Sequence, residues 1–205
     1  MTHQTAVPNH HADYPGFSGL SGLLAALSML KKGDDDAHLV ARLGGVGPGD
    51  SVVDIGCGPG VAARHAAGLG ANVTAVDPAP VMLRLARLLT LRSRSRIRYV
   101  EGAAEALPLE DDSASVVWSM ASVHHWRDID AGIREALRIL RRGGRFIAVE
   151  RHTAAGAHGL AGHGWTRAQA ETFAERCREH GFGDVRVEEN TVGHRSTVGV
   201  IATAP

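Results

Sequence analysis

The sequence predicts an α/β fold in which helices cover both faces of a doubly wound, mostly parallel sheet. Short apolar strands alternate with helical stretches from residue 51 onward, which is typical of parallel strands joined by helices. The last two predicted strands are too close for a helix to connect them, so we expect an antiparallel hairpin there. A chain of 205 residues suits one core, so we predict a single domain over 1–205 with 1–45 as a helical N-terminal lid.

The predicted elements follow the apolar periodicity and the glycine breaks. Strands are predicted at 51–55, 72–76, 97–101, 114–118, 145–150, 184–189 and 196–202, and helices at 20–30, 37–43, 60–69, 80–91, 129–141 and 166–180. The acids at 34–36 are expected to form a solvated turn that caps the next helix. Gly143 and Gly144 are expected to end the helix at 129–141 as a C-cap.

The loop after the first strand contains the strongest functional signal. Asp54 lies in the strand, and Gly56, Gly58 and Gly60 follow with the spacing G-x-G-x-G. Glycines at a strand-to-helix turn let the backbone approach a nucleoside-bearing ligand. A dinucleotide fingerprint needs G-x-G-x-x-G, and the nearby negative charge favours a cationic or zwitterionic ligand over a diphosphate.

This segment, including Cys57, closely resembles motif I of the class I S-adenosylmethionine-dependent methyltransferases. The likeness is to the small-molecule branch that includes the quinone and sterol C-methyltransferases. It implies a Rossmann-like seven-stranded sheet of order 3-2-1-4-5-7-6 with S-adenosyl-L-methionine as cofactor. It also implies that the acid in the strand helps to hold the amino end of the cofactor.

The second and third strands are followed by two further motifs of this family. Asp77, followed by Pro78, is an acid that can accept hydrogen bonds from ribose hydroxyls, and its alternative role is to cap the next helix. The segment 101–108 is similar to a G-D-A-E-x-L-P pattern whose Asp contacts adenine in the family. Here Ala103 replaces that Asp, so only the backbone contact at Ala104 is expected to remain.

The fourth strand ends at residues that the ligand-crevice rule places beside the cofactor. Ser119 and Met120 are expected near its methionine end. His124 and His125 are candidates for substrate contact or proton removal, because histidine titrates near neutral pH. The alternative is that one histidine packs against a tryptophan while the other caps a turn.

Two variable segments are candidates for the substrate pocket. Tyr14 and Phe17 lie before the first strand, where this family often has a lid, although the segment could equally pack on the sheet edge. The loop at 151–164 carries His152, His158 and His163 and otherwise resembles a surface loop.

Composition narrows the partners and the compartment. Lys plus Arg and Asp plus Glu each number 22, so no net charge attracts nucleic acid or a membrane. The arginines between 84 and 98 are interpreted as a solvated helix end rather than a phosphate-binding edge. The two cysteines form no disulfide framework, and no apolar run reaches the length of a membrane span, so a cytoplasmic location is expected. No H-x-x-x-H or C-x-x-C pattern occurs, so no metal is expected.

The sequence therefore predicts an enzyme that transfers a methyl group from S-adenosyl-L-methionine to a small molecule by in-line displacement. We expect a monomer or homodimer. The alternatives are an RNA or protein methyltransferase and a non-catalytic protein that binds the cofactor. The glycine spacing disfavours a nicotinamide oxidoreductase.

Overall fold

A computed structural model describes residues 7–9, 34–91, 97–157, 162–192 and 195–205. Its strands are β1 (Ser51–Ile55), β2 (Asn72–Asp77), β3 (Ile97–Glu101), β4 (Ala114–Met120), β5 (Leu140–Arg151), β6 (Gly183–Val192) and β7 (Arg195–Thr203). Its helices are α1 (Asp34–Leu43), α2 (Val61–Gly68), α3 (Pro80–Thr90), α4 (Ile129–Ile139) and α5 (Arg167–Glu179), with a 3-10 helix at Val123–His125.

The strands form one seven-stranded sheet of order β3-β2-β1-β4-β5-β7-β6, which confirms the predicted architecture. β1 to β5 run parallel to one another, and β7 lies antiparallel between β5 and β6. Parallel strands end at a common edge, so the residues after β1, β2, β4 and β5 are brought together there.

Apolar clusters on the two faces of the sheet hold the helices in place. One cluster joins Ile55 and Phe146 to α4 and α5, and the other joins Val52 and Trp118 to α1 and α2. Side chains of a strand alternate between faces, so neighbours such as Asp54 and Ile55 point in opposite directions. This alternation aims Asp54 towards the α2 side of the sheet.

Two local predictions were wrong. Asp34 to Asp36 are helical residues of α1 instead of a turn before it. α4 ends at Ile139 and β5 begins at once, so Gly143 and Gly144 lie inside the strand. Gly143 has φ +72°, and the pairing register of β4 with β5 shifts in this region, so the glycines accommodate an irregular strand start rather than a helix end.

The N-terminal segment at 7–9 is fastened to the carboxyl edge of the sheet. The Trp165 indole donates to the Pro8 carbonyl at 2.8 Å, and the Gln169 amide donates to the Val7 carbonyl at 2.9 Å. The Asn9 amide donates to the carbonyl of Trp126 at 2.9 Å. The helix predicted at 20–30 lies outside the described residues, and none of the described helices is long and apolar enough to cross a membrane.

Candidate active site

The glycine loop wraps over the end of β2. The backbone N–H groups of Gly56 and Cys57 both donate to the Val76 carbonyl, at 2.8 and 3.0 Å. Gly56, Gly58 and Gly60 have φ values of +72°, +51° and +75°, a left-handed conformation that costs other residues energy. The three glycines are therefore required by the path of the chain, and the last of them begins α2.

Asp77 connects three parts of the site. Its carboxylate accepts the backbone N–H of Gly58 at 2.8 Å through Oδ2 and that of Ala79 at 2.8 Å through Oδ1. Its backbone carbonyl accepts the N–H of Gly102 at 3.3 Å. Burial raises the pKa of Asp77, and the two backbone N–H groups oppose this rise. Ala79, rather than Asp77, is the N-cap residue of α3, while Pro78 between them is exposed.

Asp54 is a buried carboxyl group with unmet hydrogen-bonding capacity. Its side chain is 2% exposed, and Oδ2 has no hydrogen-bond partner among the described residues. Burial raises the pKa of Asp54 to about 7, and the negative charge of Asp77 adds to this rise. The nearby Trp118 indole and the Ala63 N–H act in the opposite direction. A buried carboxyl group in this state is prepared to accept a cationic or hydrogen-bond-donating ligand.

Cys57 lies in the glycine loop as a buried thiol. Burial raises its pKa well above the ordinary value, and the neighbouring charges of Asp54 and Asp77 add to the effect. The thiol is therefore neutral at physiological pH and unsuited to nucleophilic attack. Cys57 would therefore contribute to a ligand site through van der Waals packing and its backbone polar groups, and not through a reactive thiol.

The loop after β3 is tied to the start of α4. Ala103 is half-buried and its backbone pairs with Ala106, whereas Ala104 is buried. The Glu105 carboxylate accepts the backbone N–H of Arg127 at 2.6 Å. This contact holds the loop in place although Ala103 has no polar side chain of its own.

The turn after β4 packs directly against the glycine loop. Ser119 is fully buried and pairs with Ile55 of β1, and its hydroxyl has no partner among the described residues. Met120 is half-buried, and Ala121 has φ +52° where the chain turns away from the strand. A Cβ at Gly56 would collide with the side chain of Ser122, so glycine is needed there for contact as well as for φ.

The predicted histidines lie in the 3-10 helix that follows this turn. His124 is 3% exposed, and its Nδ1 lies 2.8 Å from Oε2 of the fully buried Glu150. The backbone N–H of His124 also donates to Oε1 of Glu150, at 3.3 Å. His125 is half-buried, and its ring centroid lies 4.1 Å from that of His124 and 5.5 Å from that of His163.

The described residues thus bring the predicted cofactor positions after β1 to β4 to one edge of the sheet. Tyr14, Phe17 and His158 lie outside the described residues. Sequence reasoning missed Glu150, although an acid at the carboxyl end of a buried strand was a usable signal. A cavity of about 880 Å³, lined by the first residues of β1, β2 and β3, lies at the opposite edge and touches none of these groups.

Comparison with known proteins gives consistent matches. Residues 53–148 match a family model described as "Methyltransferase domain". The malonyl-[acyl-carrier protein] O-methyltransferase of Serratia marcescens is 30% identical over 171 residues, covering 83% of this chain and 64% of the relative. The ubiquinone biosynthesis O-methyltransferase of Cupriavidus pinatubonensis is 40% identical over 97 residues, covering 47% of this chain and 39% of the relative. The chain thus spans less than two thirds of the length of either relative.

A solved structure supports the fold. A SAM-dependent methyltransferase from Aquifex aeolicus superposes with a TM-score of 0.71 at 17% identity, covering 87% of this chain and 98% of that one. The sheet order, the glycine loop and the sequence matches agree, and together they support a class I S-adenosylmethionine-dependent methyltransferase.

Proposed function

We propose that this protein transfers a methyl group from S-adenosyl-L-methionine to a small-molecule acceptor, most readily to an oxygen atom. The observation that carries the proposal is the buried carboxyl group of Asp54 beside a three-glycine loop that Asp77 holds in place. The oxygen acceptor is favoured because the two relatives described above are named O-methyltransferases.

The residues present fit the cofactor at both of its polar ends. Oδ2 of Asp54 has no hydrogen-bond partner among the described residues, and the cofactor's amino group is cationic. Each carboxylate oxygen of Asp77 accepts one backbone N–H and has a second lone pair, so both ribose hydroxyls can donate to it. Around them, the loop backbone of Gly56 to Gly60 and the segments at 103–104 and 119–120 would surround the cofactor.

The bound cofactor supplies a methyl group that its sulfonium already activates. The chain therefore mainly has to hold the acceptor in line and exclude water. An acceptor that carries a proton also needs a base, and we assign that role to His125, which is half-buried and borders the site. His124 is buried against Glu150, so we assign it to positioning its neighbour rather than to direct proton transfer.

We assign the lid to Tyr14 and Phe17, within an N-terminal segment at 1–45 of a single domain. This assignment is supported by the hydrogen bonds that anchor Val7 and Pro8 at the carboxyl edge of the sheet, a few residues before Tyr14 in the sequence. An apolar lid would shield the reacting methyl group from water.

We place the protein in the cytoplasm as a monomer or homodimer. Cys57 and Cys177 are both buried free thiols, which is consistent with a reducing compartment. The balanced charge disfavours an RNA acceptor. Arg87, one of the arginines that could contact RNA phosphates, instead donates from its guanidinium to the Tyr99 carbonyl at 2.9 Å.

Transfer of a labelled methyl group to a panel of acceptors tests this function. The panel should contain a malonyl thioester, a phenol and a small amine, with bulk tRNA as the comparison. We expect label on an oxygen acceptor together with release of S-adenosylhomocysteine. Label on tRNA alone would favour the RNA methyltransferase, and cofactor binding without consumption would favour the non-catalytic alternative.

A further inference from the structure

Three histidines from two separate segments converge at the carboxyl edge of the sheet. His124 and His125 belong to the 3-10 helix after β4, and His163 belongs to the loop between β5 and α5. One ring nitrogen from each lies within 4.8 Å of those from the other two. The His163 ring centroid is 5.4 Å from that of His124 and 5.5 Å from that of His125.

The carboxylate of Glu150 orients the buried member of this cluster. It lies 2.8 Å from Nδ1 of His124, and Glu150 itself is completely buried. A carboxylate accepts the Nδ1–H, so the lone pair of the neutral ring is on Nε2. A carboxylate behind a histidine fixes the ring and its tautomer in many metal sites and makes the imidazole a stronger ligand.

Backbone contacts hold His163 over the 3-10 helix. The His163 carbonyl accepts from the Arg151 guanidinium at 3.0 Å. The next residues return to the end of β5, since the Trp165 N–H donates to the Arg151 carbonyl at 2.9 Å. Gly164 between them has φ +135°, and a Cβ there would collide with that same carbonyl. These contacts hold His163 close to the end of β5.

We propose that His124, His125 and His163 bind a divalent transition-metal ion such as Zn²⁺, with Glu150 as the orienting group behind His124. Tetrahedral zinc with Zn–N bonds of ~2.0–2.1 Å places its ligand nitrogens ~3.4 Å apart. The three ligand nitrogens lie within 4.8 Å of one another. Side-chain rotations of the half-buried His125 and His163 that move these nitrogens by roughly an ångström would therefore reach the tetrahedral spacing. Three imidazole nitrogens select zinc, iron, nickel or copper over magnesium and calcium, which prefer oxygen ligands.

Charge favours a cation over an anion at this cluster. Binding phosphate or a carboxylate would require protonated histidines, and the buried Glu150 already adds a negative charge beside them. A metal ion is stabilised by the same carboxylate. The sequence-based prediction of no metal considered only local patterns such as H-x-x-x-H. It did not consider a site assembled from residues nearly 40 positions apart.

Three protein ligands leave a coordination position for another molecule. The cluster is at the sheet edge to which we assign the acceptor, so an acceptor oxygen would occupy that position and have its pKa lowered by the metal. With the metal bound, this activation would replace proton removal by His125. This role rests on the proposed function, whereas metal binding itself does not.

Titration of untagged, chelator-treated protein with Zn²⁺ and Co²⁺ tests the proposal. Calorimetry gives the stoichiometry, and the visible absorption of Co²⁺ reports nitrogen ligation. The matched variants are His163→Ala and His125→Ala, with His180→Ala as the control because His180 also contacts a carboxylate, that of Asp130 at 2.9 Å. The N-terminal stretch contains His3, His10 and His11, so only the difference between variants identifies the site.

We expect the control to bind like the wild type and each cluster variant to lose one equivalent of metal together with the Co²⁺ absorption. Glu150→Gln should weaken binding by roughly 10–100-fold. Wild-type stoichiometry and affinity in both folded cluster variants, or no metal bound by the wild type, would overturn the proposal. A parallel titration with S-adenosylhomocysteine separates the metal site from the proposed function. Protein that binds metal but not S-adenosylhomocysteine would contradict only the proposed function, and protein that binds S-adenosylhomocysteine but not metal would contradict only the metal site.

Discussion

The replacement Asp54→Asn should make the protein more stable at alkaline pH and leave it nearly unchanged at acidic pH. An unfolded chain ionises this side chain near the ordinary pKa of 3.8, but the folded chain holds the proton until about pH 7. Between these values the folded state binds more protons, so its stability falls as the pH rises. The difference of about three pH units, at ~1.4 kcal/mol each, gives a cost of ~4 kcal/mol above pH 7.

The assay is urea unfolding of the wild type and the variant from pH 4 to pH 8. Asparagine has the same shape without the charge, so the variant should match the wild type within ~1 kcal/mol at pH 4 and exceed it by up to ~4 kcal/mol at pH 8. The contributions of other titratable groups, including Asp77, to the pH dependence of the unfolding free energy are largely the same in the wild type and the variant. A difference that stays constant across the range would refute the reasoning.

Asp50, just before the same strand, provides a control of opposite sign. Partial burial acts to raise its pKa, but hydrogen bonds from Ser115 and Gly47 and the charge of Arg145 hold the pKa below its ordinary value. A carboxylate of this kind stabilises the fold above the unfolded pKa, and that contribution is lost as the pH falls through the folded pKa. Asp50→Asn should therefore lower stability at neutral pH and have little effect under strongly acidic conditions.

Two further pairs of variants test other parts of the structure. Gly56→Ala and Gly143→Ala both place a Cβ at φ +72°, which costs ~1–2 kcal/mol, but only the first also collides with Ser122. Thermal unfolding should therefore show the larger loss for Gly56→Ala, and equal losses would contradict the described contact. Trp165→Phe removes the hydrogen bond to the N-terminal segment and should cost ~1 kcal/mol and speed proteolysis near residue 8. Trp126→Phe is its control, because that indole nitrogen has no partner among the described residues, and similar proteolysis of both variants would contradict the anchoring.

Local signals were sufficient to predict a mostly parallel sheet with a terminal antiparallel hairpin and the glycine loop, whereas the strand order was implied by the family resemblance. Apolar strands that alternate with helices leave few topologies open, and the positive φ values at Gly56, Gly58 and Gly60 explain why glycine occurs there. The ends of α4 and β5 were misjudged because a glycine pair is common both after a helix and at an irregular strand start.

Contacts between distant segments were beyond sequence reasoning. The meeting of His124 with Glu150 and His163 depends on where the turn after β4 and the loop after β5 come together. The dual role of Asp77, which holds the glycine loop and the start of α3, likewise requires the register of β1 with β2. Neither arrangement leaves a periodic signal in the sequence.

Calorimetric titration of the full chain with S-adenosylhomocysteine, with NADH as the comparison, tests the central claim most directly. We expect one molecule of S-adenosylhomocysteine to bind in the micromolar range and NADH not to bind. Asp77→Ala should abolish this binding, because it removes the carboxylate that we propose as the ribose acceptor and that accepts the Gly58 and Ala79 N–H groups. Folded wild-type protein that binds NADH, or that binds neither ligand, would contradict the account.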